Sequence, residues 1–77
     1  MSGLTIYSTP WCGYCHRLMS QLDREGIAYD SIDIEKNAAA AQFVEQANGG
    51  NQTVPTVKLP NGTVLTNPSV AQLLSQL

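Results

Sequence analysis

The segment from Leu4 to Ile34 constrains the fold more than any other part of the chain. Leu4-Thr5-Ile6-Tyr7-Ser8 alternates and carries a β-branched residue at its centre, which predicts a strand. Pro10 interrupts it. Cys15, Leu18, Met19 and Leu22 then recur at three- and four-residue spacing. That spacing predicts an amphipathic helix from Cys12 or Gly13 to about Glu25, with Gly26 placed to end it. Ile27 to Ile34 (IAYDSIDI) reads as a second strand. A strand, a helix and a strand in this order call for a parallel pair joined by a right-handed crossover. An α/β architecture follows from this segment alone.

The rest of the chain adds a different pattern. Asn37 is suited to cap a second helix, in which Ala40, Phe43, Val44 and Ala47 make one apolar face and Asn48-Gly49-Gly50 marks the end. Thr56 to Leu59 and Val64-Leu65 are short β-type runs on either side of Pro60-Asn61-Gly62-Thr63, and an Asn-Gly pair in that place signals a hairpin. Asn67-Pro68 predicts a helix N-cap with proline in the first turn, and Val70, Leu73, Leu74 and Leu77 supply the apolar face of the last helix. The expected order is β-α-β-α-β-β-α, a four-stranded mixed sheet flanked by helices, in one domain over residues 1–77.

Bulk properties exclude several function classes. A chain of 77 residues is expected to form one small domain with a modest core. Its net charge is −2 and it has no basic run, which argues against nucleic acid. The apolar runs are too short to span a bilayer, and Met1 to Pro10 lacks the basic and apolar regions of a signal peptide. The expectation is a cytoplasmic monomer in a compartment where thiols stay reduced and a disulfide is transient.

The 2 cysteines stand together in Cys12-Gly13-Tyr14-Cys15. A structural crosslink there would close a very short loop and remove little entropy from the unfolded chain. A structural zinc site needs four ligands, and the chain offers 2 Cys and 1 His. Cys15-His16 completes the string used for haem attachment, but no residue is placed as an axial ligand. A cluster shared between two chains needs only one cysteine from each, and it stays open. The redox use fits the local geometry best. Cys12 falls where a strand gives way to a helix, so unpaired N–H groups and the positive end of the helix dipole favour a negative sulfur. Cys15 lies one turn on, on the same face and deeper in the apolar pattern. The expected arrangement is an exposed attacking thiol at Cys12 and a shielded resolving thiol at Cys15.

Thr53-Val54-Pro55 precedes the third strand. A proline there protects a strand start, since it has no N–H to donate. Alternatively, a cis bond at Val54-Pro55 turns the Val54 backbone toward the cysteines, where an extended substrate adds a short strand.

Taken together and in order, these residues resemble the glutaredoxin branch of the thioredoxin fold. The likeness runs from Leu4 to the last helix and rests on Cys12-Gly13-Tyr14-Cys15, His16-Arg17, Thr53-Val54-Pro55 and the hairpin that follows. It implies a thioredoxin-like, glutaredoxin-type fold, a cis Val54-Pro55 bond, Cys12 as nucleophile and Cys15 as resolving thiol. It further implies a small-thiol site in which Tyr14 lies beside the bound thiol and Thr53 and Val54 clamp it through their backbone, with Trp11 and Pro55 alongside. Two positions depart from the glutaredoxin pattern. Thr9 stands where a lysine is common, and Thr66-Asn67-Pro68-Ser69-Val70 stands where the family has glycines and an acidic pair. Those family groups hold the charged ends of glutathione, so a neutral, hydroxyl-rich thiol suits Asn67 and Ser69 better.

TIYSTPWCGYC, IAYDSIDIE, NGGNQTVPTV and LTNPS are similar to the mycoredoxins, glutaredoxin-like proteins that use mycothiol. The resemblance implies mycothiol as cosubstrate, no permanently bound cofactor or metal, mycothiolated proteins as partners and mycothione reductase as the indirect source of electrons. It implies a monothiol reduction of protein–mycothiol mixed disulfides. Two alternatives stand beside it: a redoxin reduced by thioredoxin reductase, as in electron donation to ribonucleotide reductase, and iron–sulfur cluster binding. Gly13, where many dithiol glutaredoxins have proline, leaves room for the second. Other residues read more plainly. His16 and Arg17 are assigned to the solvated face, Trp11 equally to packing or contact, Tyr7 and Tyr29 to the flanks of the sheet, and Met19, Phe43, Val44 and the leucines to the core.

Overall fold

The computed structural model describes residues 3–76. Its elements follow the expected order: β1 (Thr5–Ser8), α1 (Gly13–Arg24), β2 (Asp30–Asp33), α2 (Ala38–Ala47), β3 (Thr56–Lys58), β4 (Val64–Thr66) and α3 (Val70–Gln76). They form a thioredoxin-type sheet of strand order β2-β1-β3-β4. β1 and β2 pair in parallel, with Ile6 opposite Ser31, while β3 runs antiparallel to both β1 and β4. The expected four-stranded mixed sheet flanked by helices is therefore present.

The pleat of β1 separates two cores, because successive side chains point to opposite faces. Leu4 and Ile6 pack with Leu18 and Leu22 of α1, Val57 and Leu59 of the third-strand segment, and Leu73 of α3. Tyr7 faces the other way and packs with Ile34, Ala40 and Val44 under α2. The Tyr7 ring also stacks on Phe43 at 4.9 Å between centroids.

Several boundaries differ from the sequence expectation for local reasons. The second strand begins at Asp30, not Ile27. Ile27 is consumed by the helix stop: its N–H donates to the Leu22 carbonyl (3.0 Å) while the Gly26 N–H donates to Asp23 (3.1 Å). That pair of bonds is a Schellman cap, and it requires the left-handed φ of +70° that Gly26 adopts. The hairpin forms, but Asn61 and Gly62 are not its two central residues. The Gly62 N–H closes a turn on the Leu59 carbonyl (3.0 Å), so Pro60 and Asn61 occupy the corner and Gly62 follows at φ +89°. Proline's fixed φ favours that corner, and glycine takes the left-handed position after it.

Asn67 is not the N-cap of the last helix. It sits at φ +47°, and the helix starts beyond it. Ser69 caps instead, in a reciprocal box: its Oγ accepts the Gln72 N–H (3.1 Å), and its own N–H donates to Gln72 Oε1 (2.8 Å). A short hydroxyl one residue after Pro68 wins because Gln72 stands where it can return the bond. Ala47 and Leu74, expected in the core, are exposed, and Phe43 is half-buried. Leu77 lies outside the described residues.

Candidate active site

The site is built where β1 hands over to α1. Cys12 is the N-cap of α1 with extended backbone (φ −85°, ψ 106°), and its Sγ accepts the N–H of Cys15 at 3.1 Å. A helix N-terminus offers unpaired N–H groups, and here one is aimed at sulfur where a capping serine would place oxygen. The first turn of α1 holds no acidic residue to oppose a negative charge. On its other side the Cys12 thiol donates to the Val54 carbonyl at 3.8 Å. The Val54-Pro55 peptide is cis. Val54, just before β3, thus brings its carbonyl to Cys12 beyond the end of the neighbouring β1.

Cys12 is not the exposed thiol that its place in the pattern implied. Only 5 % of its surface is accessible, against 0 % for Cys15. The capping geometry folds the sulfur in between Val54 and the first turn. At the neighbouring Gly13 an added Cβ would meet no heavy atom within 4 Å beyond its chain neighbours and the helix's own backbone. Cys15 matches its expected character. Burial, with the Cys12 sulfur beside it adding to the effect, pushes its thiol up to about 12, so it holds its proton at neutral pH.

Two aromatic side chains stand out from this loop, Trp11 at 72 % and Tyr14 at 66 % exposed. Trp11 therefore belongs to the surface and not to the packing under the loop. Its indole N–H donates to Glu35 Oε2 (2.9 Å), tying the loop to the segment after β2. His16 turns back and its Nε2 lies 2.8 Å from the Pro10 carbonyl. A carbonyl only accepts, so Nε2 carries the proton in that bond. Pro55 is buried, and the exposed Thr53 directs its hydroxyl to Asn51 Oδ1. Thr9, in the lysine position of the pattern, is buried and presents no charge.

A groove of about 470 Å³ runs from Tyr14 between α1 and the segment leading into α3. It brings together Tyr14, Asn67 and Ser69, three of the residues expected to bind a small thiol, and adds Arg17 and Gln21 of α1. Its lining contains no acidic side chain. Sequence reasoning assigns Arg17 to the solvated face and singles out no role for Gln21. Tyr14, Arg17, Leu18 and Gln21 nonetheless share the i, i+3, i+4, i+7 spacing of one helix face, which was the available signal. Among the described residues no group of three or more His, Cys, Asp or Glu could hold a metal ion, and no helix is long and apolar enough to cross a membrane.

Comparison with known proteins agrees with this geometry. A Mycobacterium tuberculosis protein named for its likeness to glutaredoxins is 57% identical over 76 residues, covering 99% of this chain and 90% of the relative. Mycoredoxin 1 of Corynebacterium glutamicum is 43% identical over 77 residues, covering 100% of this chain and 95% of the relative. The crystal structure of a buckwheat glutaredoxin–glutathione complex superposes with a TM-score of 0.73 at 26% identity, covering 97% of this chain and 70% of that one. With residues 4–65 also matching the glutaredoxin family model, the chain belongs to the glutaredoxin family of thiol–disulfide oxidoreductases.

Proposed function

We propose that the protein reduces mixed disulfides between proteins and mycothiol by a monothiol route, with Cys12 as nucleophile and Cys15 as resolving thiol. The observation that carries the reading is the groove beside the Cys12 loop. It offers Asn67, Ser69, Arg17 and Gln21 as hydrogen-bonding groups and no carboxylate. A ligand ammonium would find no opposite charge there, whereas a sugar-based thiol would find donors and acceptors for its hydroxyls. The similarity to Mycoredoxin 1 supports the same choice. The buckwheat relative holds glutathione, which supports a small thiol as the class of ligand.

The reaction balances in two exchanges. The Cys12 thiolate attacks the mycothiol sulfur of the mixed disulfide. A Cys12–mycothiol disulfide forms, and the target's sulfur leaves as thiolate and takes a proton. A second mycothiol, as thiolate, attacks the mycothiol sulfur on Cys12. The oxidised mycothiol dimer leaves and Cys12 returns to thiolate. In sum, the mixed disulfide and one free mycothiol give the reduced target and one oxidised mycothiol dimer, which mycothione reductase returns to two mycothiols with two electrons from NADPH. The branch through Cys15 begins with loss of the Cys15 proton, attack on Cys12 sulfur and departure of mycothiol. Burial opposes that deprotonation, so the monothiol route dominates near neutral pH.

The test is NADPH consumption on a mycothiolated protein, with mycothiol plus mycothione reductase in one arm and thioredoxin reductase alone in the other. Turnover in the first arm only, lost in Cys12→Ser and largely kept in Cys15→Ser, is expected. Turnover in the second arm only overturns the choice of cosubstrate, and an inactive but folded Cys15→Ser overturns the monothiol route.

A further inference from the structure

The two arms proposed to hold the small thiol come from different elements. Thr53-Val54 enters β3 from the loop after α2, and Thr66-Asn67 leaves β4. One side chain touches the supports of both. Asn48, the C-cap of α2, donates from Nδ2 to the Val44 carbonyl (2.8 Å) and to Thr56 Oγ1 (3.1 Å). Its Oδ1 accepts from Thr66 Oγ1 (2.6 Å). The orientation of the amide is determined, because a flip would set Oδ1 against the Val44 carbonyl. The bonds onward are directional too. Thr56, fully buried, accepts from Asn48 and donates to the Thr53 carbonyl (2.7 Å). Next to Thr66, the Asn67 N–H donates to the Pro55 carbonyl (2.7 Å), which ties the second arm back to the cis-proline segment. Every polar atom of the Asn48 amide is used, and its three partners lie on α2, β3 and β4.

We infer that Asn48 is a positioning residue that sets Thr53-Val54 and Thr66-Asn67 as one unit, so that both arms close on the same small thiol. The inference rests on the small-thiol reading of the site above. A residue that merely capped α2 would change stability. A residue that registers two arms changes how well the ligand is held and leaves the sulfur chemistry alone.

The experiment compares the full-length chain with Asn48→Ala and Asn48→Asp. Asp keeps the acceptor for Thr66 and loses both donors. Three quantities are read: KM and kcat on a mycothiolated protein with mycothiol and mycothione reductase, the rate of Cys12 alkylation by iodoacetamide, and backbone amide shifts at residues 53, 54, 66 and 67. Asn48→Ala is expected to raise KM by about three- to tenfold, the worth of one net hydrogen bond, with kcat and alkylation rate held. It should move the amides of both arms, whereas Asn48→Asp should move the 53–54 arm more than the 66–67 arm. Amide changes confined to α2, or an unchanged KM in either variant, overturn the inference. If Asn48→Ala does not fold, Thr66→Val replaces it: it should move the 66–67 arm and raise KM, and failure to do so is equally decisive. Wild-type turnover with thioredoxin reductase alone would defeat the cosubstrate reading, and the amide shifts would still decide the role of Asn48.

Discussion

The burial of Cys15 slows its attack on a Cys12 mixed disulfide. A thiol pushed from 9.0 to about 12 loses roughly a thousandfold in thiolate population at pH 7, because the thiolate is the nucleophile. The thiolate that does form is more basic, and with a Brønsted coefficient of about 0.4–0.5 it recovers roughly 15–30-fold in reactivity. The net effect is an attack on a Cys12 mixed disulfide about 30–60-fold slower than a thiol of unshifted pKa would manage at that pH. That figure is an upper limit. Part of the upward push comes from the Cys12 sulfur, and capping Cys12 removes its charge; the leading cause, burial, stays. The assay loads Cys12 with mercaptoethanol, lets the adduct decay at pH 6 to 10, quenches with acid and counts the surviving adduct by mass. Decay of wild type should steepen tenfold per pH unit and still be rising between pH 9 and 10, while Cys15→Ser keeps its adduct. A wild-type plateau at or below pH 9 would falsify the claim that burial restrains the Cys15 thiol.

Three further outcomes follow from the same geometry. Cys15 holds its proton more tightly when folded than when unfolded, so it favours the fold below about pH 9 and loses that contribution as pH climbs toward 12; Tyr7 and Tyr29, also pushed up by burial, act in the same direction above about pH 10. The urea midpoint should fall between pH 8 and 10.5, and fall less in Cys15→Ala; a midpoint independent of pH would contradict this. Gly13→Pro should raise Tm by about 2–8 °C, because proline fits the first helical position, Cys12 already has the extended backbone that a following proline demands, and an added Cβ meets nothing within 4 Å beyond its chain neighbours and the helix's own backbone. A lower Tm would mean that the Gly13 N–H carries an unrecognised role. Ser69→Ala removes the cap of a helix only 7 residues long, at a cost of about 1 kcal/mol or about 4–8 °C in Tm; thermal melts that overlay wild type would remove Ser69 from that role.

Local chemistry made much of this protein legible from its residues. The order of elements, the stop at Gly26, the Asn37 cap and the place of Cys12 at a strand-to-helix junction all depend on neighbours within a few positions, and all are present in the structure. The misreadings also have local causes. Ile27 looked like strand because its β-branched side chain says nothing about the Schellman bond its N–H makes. Asn67-Pro68 carries the local signature of a helix start, but the reciprocal bonds between Ser69 and Gln72 move the cap two residues on.

What the sequence by itself determined is a pair of thiols at a helix N-terminus within a β-α-β-α-β-β-α chain, because capping, periodicity and turn chemistry act over a few residues. The tertiary structure alone decided what surrounds those thiols. It put the Val54 carbonyl against Cys12, buried the Cys12 thiol that the pattern left exposed, and opened a groove between α1 and the approach to α3. It also gathered Val44, Thr56 and Thr66 around one asparagine. Those are contacts between segments far apart in the chain. They arise from how the helices cover the sheet, which no short window of residues encodes.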